Sequence, residues 1–378
     1  MKKRYKLKIN GECPRSLFLA YVLANLNCDI YLYNFYKESI SNNHYQSFYF
    51  SNFSKNLLNR YGLWNEFKNI SYGFNSLCIK DLFNSEQFVF RTEDFPNSNF
   101  NTIGWTANYS DIRNSLLDKL INLSNVHFIS KQKFNNRSYT FDYELNFNNY
   151  NKIFSFFKSA LSFFERTSKQ IYIFNVLLRG NVEKRLYEIH TRKGLIVLIP
   201  LDKNLYQIIW NYTSLKKEEI FQNSKSFFLD NLTTILPSEL KVDQIRGEIN
   251  SLRVNSFIPN YIIKRNSIYF NENKFKNNVL YELNFDIFIK NILQVYSLFN
   301  NNKSKNFYIF NKIRLYCLIK KYIVFIKNIS FTNFFIDLFI SNNIVIIFLR
   351  RFLFNLIKRN NLLKNLIKNC FYKLYYNK

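Results

Sequence analysis

Only seven of the 378 residues are glycine, where a soluble chain at roughly 7% would carry about 26. Turns that wrap a phosphate need glycine most, because a residue without a Cβ lets backbone amides lie against a diphosphate. A chain this poor in glycine can build strands and helices freely, but it has little material for a phosphate-cradling loop. Any nucleotide-binding outline within it therefore stands or falls glycine by glycine.

At 47% apolar content the chain can bury a substantial core, enough for two interleaved lobes. The 42 Phe and 27 Tyr, with abundant Asn, Lys and Ile, follow the bias of AT-rich codons, as in an organelle or a reduced genome. The formal charge of +27 favours an anionic partner, although drift towards lysine produces the same excess. No nucleic-acid motif accompanies the charge, so nucleic acid is not the expected partner. Cys13, Cys28, Cys78, Cys317 and Cys370 show no C-x-x-C spacing and read as inert thiols of a reducing compartment. His44, His127 and His190 are too dispersed to suggest a metal site. Met1 to Arg4 lead straight into a strand-like segment without the apolar stretch of a secretory signal, so a cytoplasmic, stromal or matrix location is expected.

Tyr5 to Ile9 alternate as a strand, Leu17 to Leu26 have helical spacing after a Pro14 turn, and Asp29 to Tyr33 read as a second strand. Together they predict a βαβ crossover at the start of the chain. Short strands follow at Leu77 to Ile79, Gln87 to Arg91 and Asn101 to Trp105, then a helix from Asp111 to Leu123 capped by Ser110. Between Ile171 and Trp210 several extended runs and a Lys193-Gly194 turn predict an antiparallel sheet. Helical spacing resumes over Lys216 to Leu236, strands are expected at Asn250 to Phe257 and Ile268 to Phe270, and helix beyond Asn284. Asn146 to Lys152 and Asn300 to Asn306 read as exposed loops.

The opening segment, Ile9-Asn10-Gly11-Glu12-Cys13-Pro14-Arg15-Ser16-Leu17-Phe18-Leu19-Ala20, resembles the dinucleotide fingerprint I-x-G-x-G-P-x-G-x-x-x-A of flavin-dependent aromatic hydroxylases. Ser51 to Trp64 resembles their segment ending L-x-x-L-G-x-W in the ubiquinone-biosynthesis type, and Phe74 to Asp81 their I-x-x-I-x-V-S-D strand. Ile103-Gly104-Trp105 with Asp111-Ile112-Arg113 is similar to the link into their next helix. Lys193 to Trp210 resembles their G-P-x-A-x-L-P-L strand and the following strand that ends in Trp, with the cyanobacterial members nearest in pattern.

The resemblance implies an α/β (α+β overall) fold: a Rossmann-like FAD-type lobe interleaved with an antiparallel-sheet substrate lobe, plus C-terminal helices. The FAD-type lobe is expected at 1–73, 111–165 and 262–300, the substrate lobe at 74–110 and 166–261, and basic helices at 301–378. It implies a monooxygenase that uses FAD, a reductant and O2 to hydroxylate an aromatic quinone precursor. Gly11, Cys13, Pro14, Arg15, Ser16, Asn34, Asn271 and Glu272 stand at the family's cofactor-binding positions.

Most of these positions are substituted. Gly11 and Pro14 match the fingerprint, whereas Cys13 and Ser16 replace its second and third glycines, and Asn34 replaces the acid that holds the adenosine ribose. In the second flavin motif, spread over Asn271 to Asn291, Glu272 keeps the acid, while the proline, the Gly-Gln-Gly run and both histidines are gone. Phe147-Asn148-Asn149 stand near the place of an A-D-G motif. The sequence therefore predicts a monooxygenase homologue with impaired flavin binding and no assignable catalytic residue. The alternative is a non-catalytic, basic, membrane-associated interaction protein. From 301 to 378 there are 15 Lys and Arg against the single acid Asp337, so two amphipathic helices, Phe331 to Lys358 and Asn361 to Tyr376, are expected on the body or on an anionic membrane surface.

Overall fold

The computed structural model describes residues 5–26, 28–33, 47–83, 85–94, 101–129, 140–147, 170–180, 183–191, 193–212, 225–253, 261–264 and 266–270. It also describes the helical positions Phe285, Ile289, Ile292, Leu293, Val295, Tyr296, Phe299, Val345, Ile347, Phe348, Arg351, Phe352 and Asn355. From the N-terminus run β1 (Tyr5–Asn10), α1 (Pro14–Ala24), β2 (Cys28–Tyr33), β3 (Ser47–Ser51), α2 (Asn52–Arg60), α3 (Trp64–Asn69) and β4 (Tyr72–Phe74). Next come β5 (Ser76–Asp81), β6 (Glu86–Arg91), β7 (Gly104–Asn108), α4 (Tyr109–Ile121), β8 (Val126–Ile129) and β9 (Tyr143–Asn146). Strands β10 (Gln170–Leu178), β11 (Arg185–Thr191), β12 (Gly194–Pro200) and β13 (Leu205–Tyr212) precede α5 (Lys225–Ile235), β14 (Val242–Arg253), β15 (Tyr261–Lys264) and β16 (Ser267–Phe270).

The first six-stranded sheet has the order β15-β16-β9-β1-β2-β8. Its members from β16 to β8 are parallel, and β15 folds back antiparallel at one edge. Leu7, Ile9, Ile30 and Leu32 share the face under α1 and are fully buried, whereas Lys6 on the opposite face is exposed and Lys8, Asp29 and Tyr31 are half-buried. Helix α1 is apolar nearly all round and lies inside the molecule, against β1, β2 and α4. Phe285, Ile289, Ile292 and Val295, at helical spacing, complete this core, with Phe285 tilted or edge-on to the rings of Phe18, Phe48, Phe50 and Phe67.

The second, seven-stranded sheet has the order β14-β10-β13-β12-β11-β5-β6 and is antiparallel except where β11 meets β5. Alternation along β12 and β13 divides its residues between two faces. Ile196, Leu198, Ile208 and Trp210 pack under α5, where Phe228 meets the rings of Tyr172, Phe174 and Trp210. Leu195, Val197, Ile199 and Ile209 point the other way, to a separate core that includes Tyr49 of β3 and Phe74 of β4.

The small sheet β3-β7-β4 joins the two. Strand β3 is buried along its whole length, sending Phe48 and Phe50 into the first core and Tyr49 into the third. Polar bonds fix the joint: the Gln207 side-chain oxygen accepts from the Ser47 amide at 3.0 Å and hydroxyl at 2.8 Å. The Thr106 hydroxyl also donates to the Pro200 carbonyl. Gly104 permits close approach here, since a Cβ would lie 2.7 Å from Phe74 Cζ and 3.0 Å from the Phe50 carbonyl oxygen.

The expected α/β architecture with its βαβ start is present, and several boundaries differ. Helix α1 begins at Pro14, because Cys13 rather than the Pro14 turn supplies the cap. Helix α4 begins at Tyr109, with Asn108 in the cap position and its amide donating to Asp111 at 3.1 Å, so Ser110 is already inside the helix. The strand expected at Asn250 starts at Val242, and its polar, half-exposed sequence obscured the alternation. Asn146 is not an exposed loop residue: it ends β9 and is buried beside Asn10, and Phe147 after it is buried too. Residues 216–224 and 254–257, Asn300 to Asn306 and most of 301–378 lie outside the described residues.

Candidate functional site

The turn between β1 and α1 sits at the carboxyl end of a central parallel strand, where open α/β sheets bind ligands. Asn10 ends β1, and Gly11 then adopts φ +131°, a conformation costly for any residue with a Cβ. The first fingerprint glycine is therefore present for its backbone.

The next positions close the turn from inside. Cys13 caps α1, its Sγ accepting from the Ser16 amide at 3.2 Å. Pro14 starts the helix, and its missing N–H leaves no orphan donor there. The Ser16 hydroxyl is fully buried, 2.8 Å from the Cys13 carbonyl and 3.0 Å from the Gly11 carbonyl. It fills the gap that a third glycine would leave between helix and strand. Arg15 is half-buried, with its guanidinium 6.0 Å from the Phe48 ring centre.

An acid occupies the approach to the helix start. Glu12 pairs with Arg113 of α4: Nη2 lies 3.4 Å from the carboxylate, and Nε donates to the Glu12 carbonyl at 3.1 Å. Arg113 is thus engaged by the turn's own carboxylate. A few residues away, Phe147 stacks on Phe270 at 4.2 Å and 7°, and the Asn10 amide donates to the Asn146 side-chain oxygen.

A dinucleotide diphosphate held here needs amides of the first helical turn directed at it and no carboxylate beside it. The Ser16 amide is taken by sulfur, the second-glycine position carries a side chain, and Glu12 contributes negative charge. The residues present do not fit that group in that position. Gly11, Cys13, Pro14, Arg15 and Ser16 lie together in the β1–α1 turn, while Asn34, Asn271 and Glu272 lie outside the described residues.

A second set of polar groups lies on the inner face of the seven-stranded sheet. Asn211 of β13 is buried among apolar neighbours, and neither its side-chain oxygen nor its nitrogen has a hydrogen-bond partner among the described residues. Cross-strand register aligns it with Leu195, His190 and Asp81 in one row. His190 and Asp81 are both buried, and His190 Nε2 lies 3.3 Å from a Glu188 carboxylate oxygen. Sequence reading missed this row because its members lie on separate strands and span 130 positions from Asp81 to Asn211; only a period-two count along β13 could have flagged Asn211. Burial chiefly raises the Cys28 pKa from 9.0 to about 11 and pushes Cys78 up as well, which disfavours their thiolates.

No protein-family profile matches the chain, and no curated protein matches it in sequence. Solved structures do match. The p-nitrophenol 4-monooxygenase PnpA from Pseudomonas putida has a TM-score of 0.71 at 13% identity, with all of both chains covered. PqsL from Pseudomonas aeruginosa, described as a probable FAD-dependent monooxygenase, gives 0.67 at 9% identity over 90% of this chain and 97% of its own. An HpxO variant from Klebsiella pneumoniae complexed with FAD gives 0.66 at 8% over 99% of both. The architecture of this chain is the fold of these proteins.

Proposed function

We propose that this chain is a flavin-free descendant of the FAD-dependent monooxygenases, an intact scaffold whose dinucleotide turn has been closed by its own side chains. The observation that carries this reading is the internal capping of α1 by Cys13 and Ser16, with the Glu12–Arg113 pair across the approach. The finer likeness to the ubiquinone-biosynthesis type rests on Ser51 to Trp64 and Lys193 to Trp210 and concerns ancestry. In proteins of this kind the cofactor performs the oxidative chemistry while the protein binds, orients and excludes water. Losing the cradle therefore removes the reaction and leaves the architecture.

Purified protein is expected to be colourless and to leave the fluorescence of added FAD unquenched. A Glu12→Ala, Cys13→Gly, Ser16→Gly variant reopens the turn and is expected to gain measurable FAD binding. A stoichiometric yellow protein would overturn the proposal.

A second reading, retained binding of a ring-bearing quinone precursor on the inner sheet face, is favoured by Asn211. Its unpaired amide in an apolar wall suits a ligand that pairs with it at one edge and is apolar elsewhere. Hydroxylated benzoates and phenols are expected to raise the melting temperature of the native chain and not of Asn211→Leu. Equal response of both proteins rejects this reading.

A further inference from the structure

The C-terminal segment carries exposed apolar side chains that belong to none of the three cores. Val345, Phe348 and Phe352 are helical and 69%, 72% and 54% exposed. Spacings of three and four residues put them on one side of a helix. Among the described residues they are three of the four exposed large hydrophobic side chains, Ile121 being the other. Concentration on one face marks a contact surface, whereas scattered apolar residues need no explanation.

The charge around that face decides what covers it. Arg351 is exposed one position before Phe352, and the sequence from 301 to 378 has 15 cations against Asp337 alone. A second copy would bring together two chains of formal charge +27, which repel. A nucleic acid would meet the cations and offer no apolar medium to the two phenylalanines. An anionic bilayer offers both, phosphates at the surface and hydrocarbon just beneath. Among the described residues no helix is long and apolar enough to cross a membrane, and exposed apolar side chains at helical spacing with Arg351 beside them suit the interface plane.

We propose that this helix face docks on an anionic lipid surface, with Phe348 and Phe352 entering the acyl boundary and the neighbouring Lys and Arg on the headgroups. The inference is independent of whether FAD binds. The test is flotation of the full chain with phosphatidylcholine vesicles, with and without phosphatidylglycerol. Binding is expected to be roughly tenfold or more stronger with the anionic lipid and to weaken with salt. Phe348→Glu with Phe352→Glu is expected to lower it by about tenfold or more.

Because the Glu pair could impair folding, Phe348→Trp supplies a second reading: its emission should shift to the blue on anionic vesicles alone. Trp64, Trp105 and Trp210 are buried and give a constant background. Equal binding to both lipids, undiminished binding by a folded Glu pair, or an unshifted emission from the Phe348→Trp variant would overturn the proposal. So would self-association or a nucleic-acid gel shift that the Glu pair removes while vesicle binding stays unchanged.

Discussion

The turn ahead of α1 and the seven-stranded sheet are built from the same glycine-poor, aromatic-rich composition, and they differ in what that composition can still satisfy. The sheet needs only large apolar groups in alternation, so Ile, Leu, Phe, Tyr and Trp serve, and cores tolerate such exchanges when volume is kept. The turn needs glycine for access. Five of the seven glycines have positive φ, and the other two, Gly73 and Gly104, face atoms a Cβ would meet at 3.0 Å or less. Glycine is thus still present where the backbone demands it, Gly11 included. Position 13 is one where a ligand's approach would demand glycine, and at 16 the serine hydroxyl occupies the space between helix and strand.

The largest effect should come from the sheet. Trp210 is fully buried against Phe228, and its indole N–H donates to the Lys193 carbonyl at 3.2 Å. Trp210→Ala is expected to cost about 3–5 kcal/mol in denaturant titrations. A cost under about 1 kcal/mol would show that this sheet is not the well-packed region, and the contrast with the turn would fail.

The next effect is a pH dependence in the parallel sheet. Folded Cys28 holds its proton up to about pH 11, through burial first and then Asp29 and Asp142, against 9.0 ordinarily. Between these values the folded chain binds more protons than the unfolded chain, so this contribution is complete below pH 9 and is lost as pH rises towards 11. Two units correspond to roughly 3 kcal/mol. Cys28→Ala should flatten that part of the alkaline stability profile, and an unchanged slope would show that the thiol is not held in a dry core.

These contrasts also explain what could be read from the sequence. The β1-α1-β2 unit was legible because Leu7, Ile9, Ile30 and Leu32 alternate and Pro14 marks a helix start. Strand β14 was misplaced because Val242 to Arg253 mixes charge into a half-exposed strand, with Gly247 at φ +74° near a register shift against β10. The substituted glycines could be counted, but not the contacts their replacements make. The Glu12–Arg113 contact joins residues 101 positions apart, and the sulfur cap on Ser16 depends on a side-chain rotation that no spacing encodes.

A smaller effect has the opposite sign. The unpaired Asn211 amide costs roughly 1–3 kcal/mol where it is buried, so Asn211→Leu should raise the stability of the ligand-free chain by about that amount. A loss instead would mean that the polar row from Asn211 to Asp81 is structural, and the sheet would lose its claim to a retained site.

The smallest effect bears most directly on the turn. Cys13→Gly removes a sulfur acceptor from the Ser16 amide, and since glycine is itself tolerated at an N-cap, the loss should be only a few tenths of a kcal/mol. What distinguishes the two regions is the response to added inorganic pyrophosphate. With Glu12→Ala alongside it, Cys13→Gly exposes the helix-start amides and frees Arg113 from its carboxylate, so pyrophosphate should raise the melting temperature of this variant and leave the native chain unmoved. If the native chain responds as strongly, the amides of α1 were never closed, and the glycine losses at 13 and 16 are neutral drift at a working phosphate site.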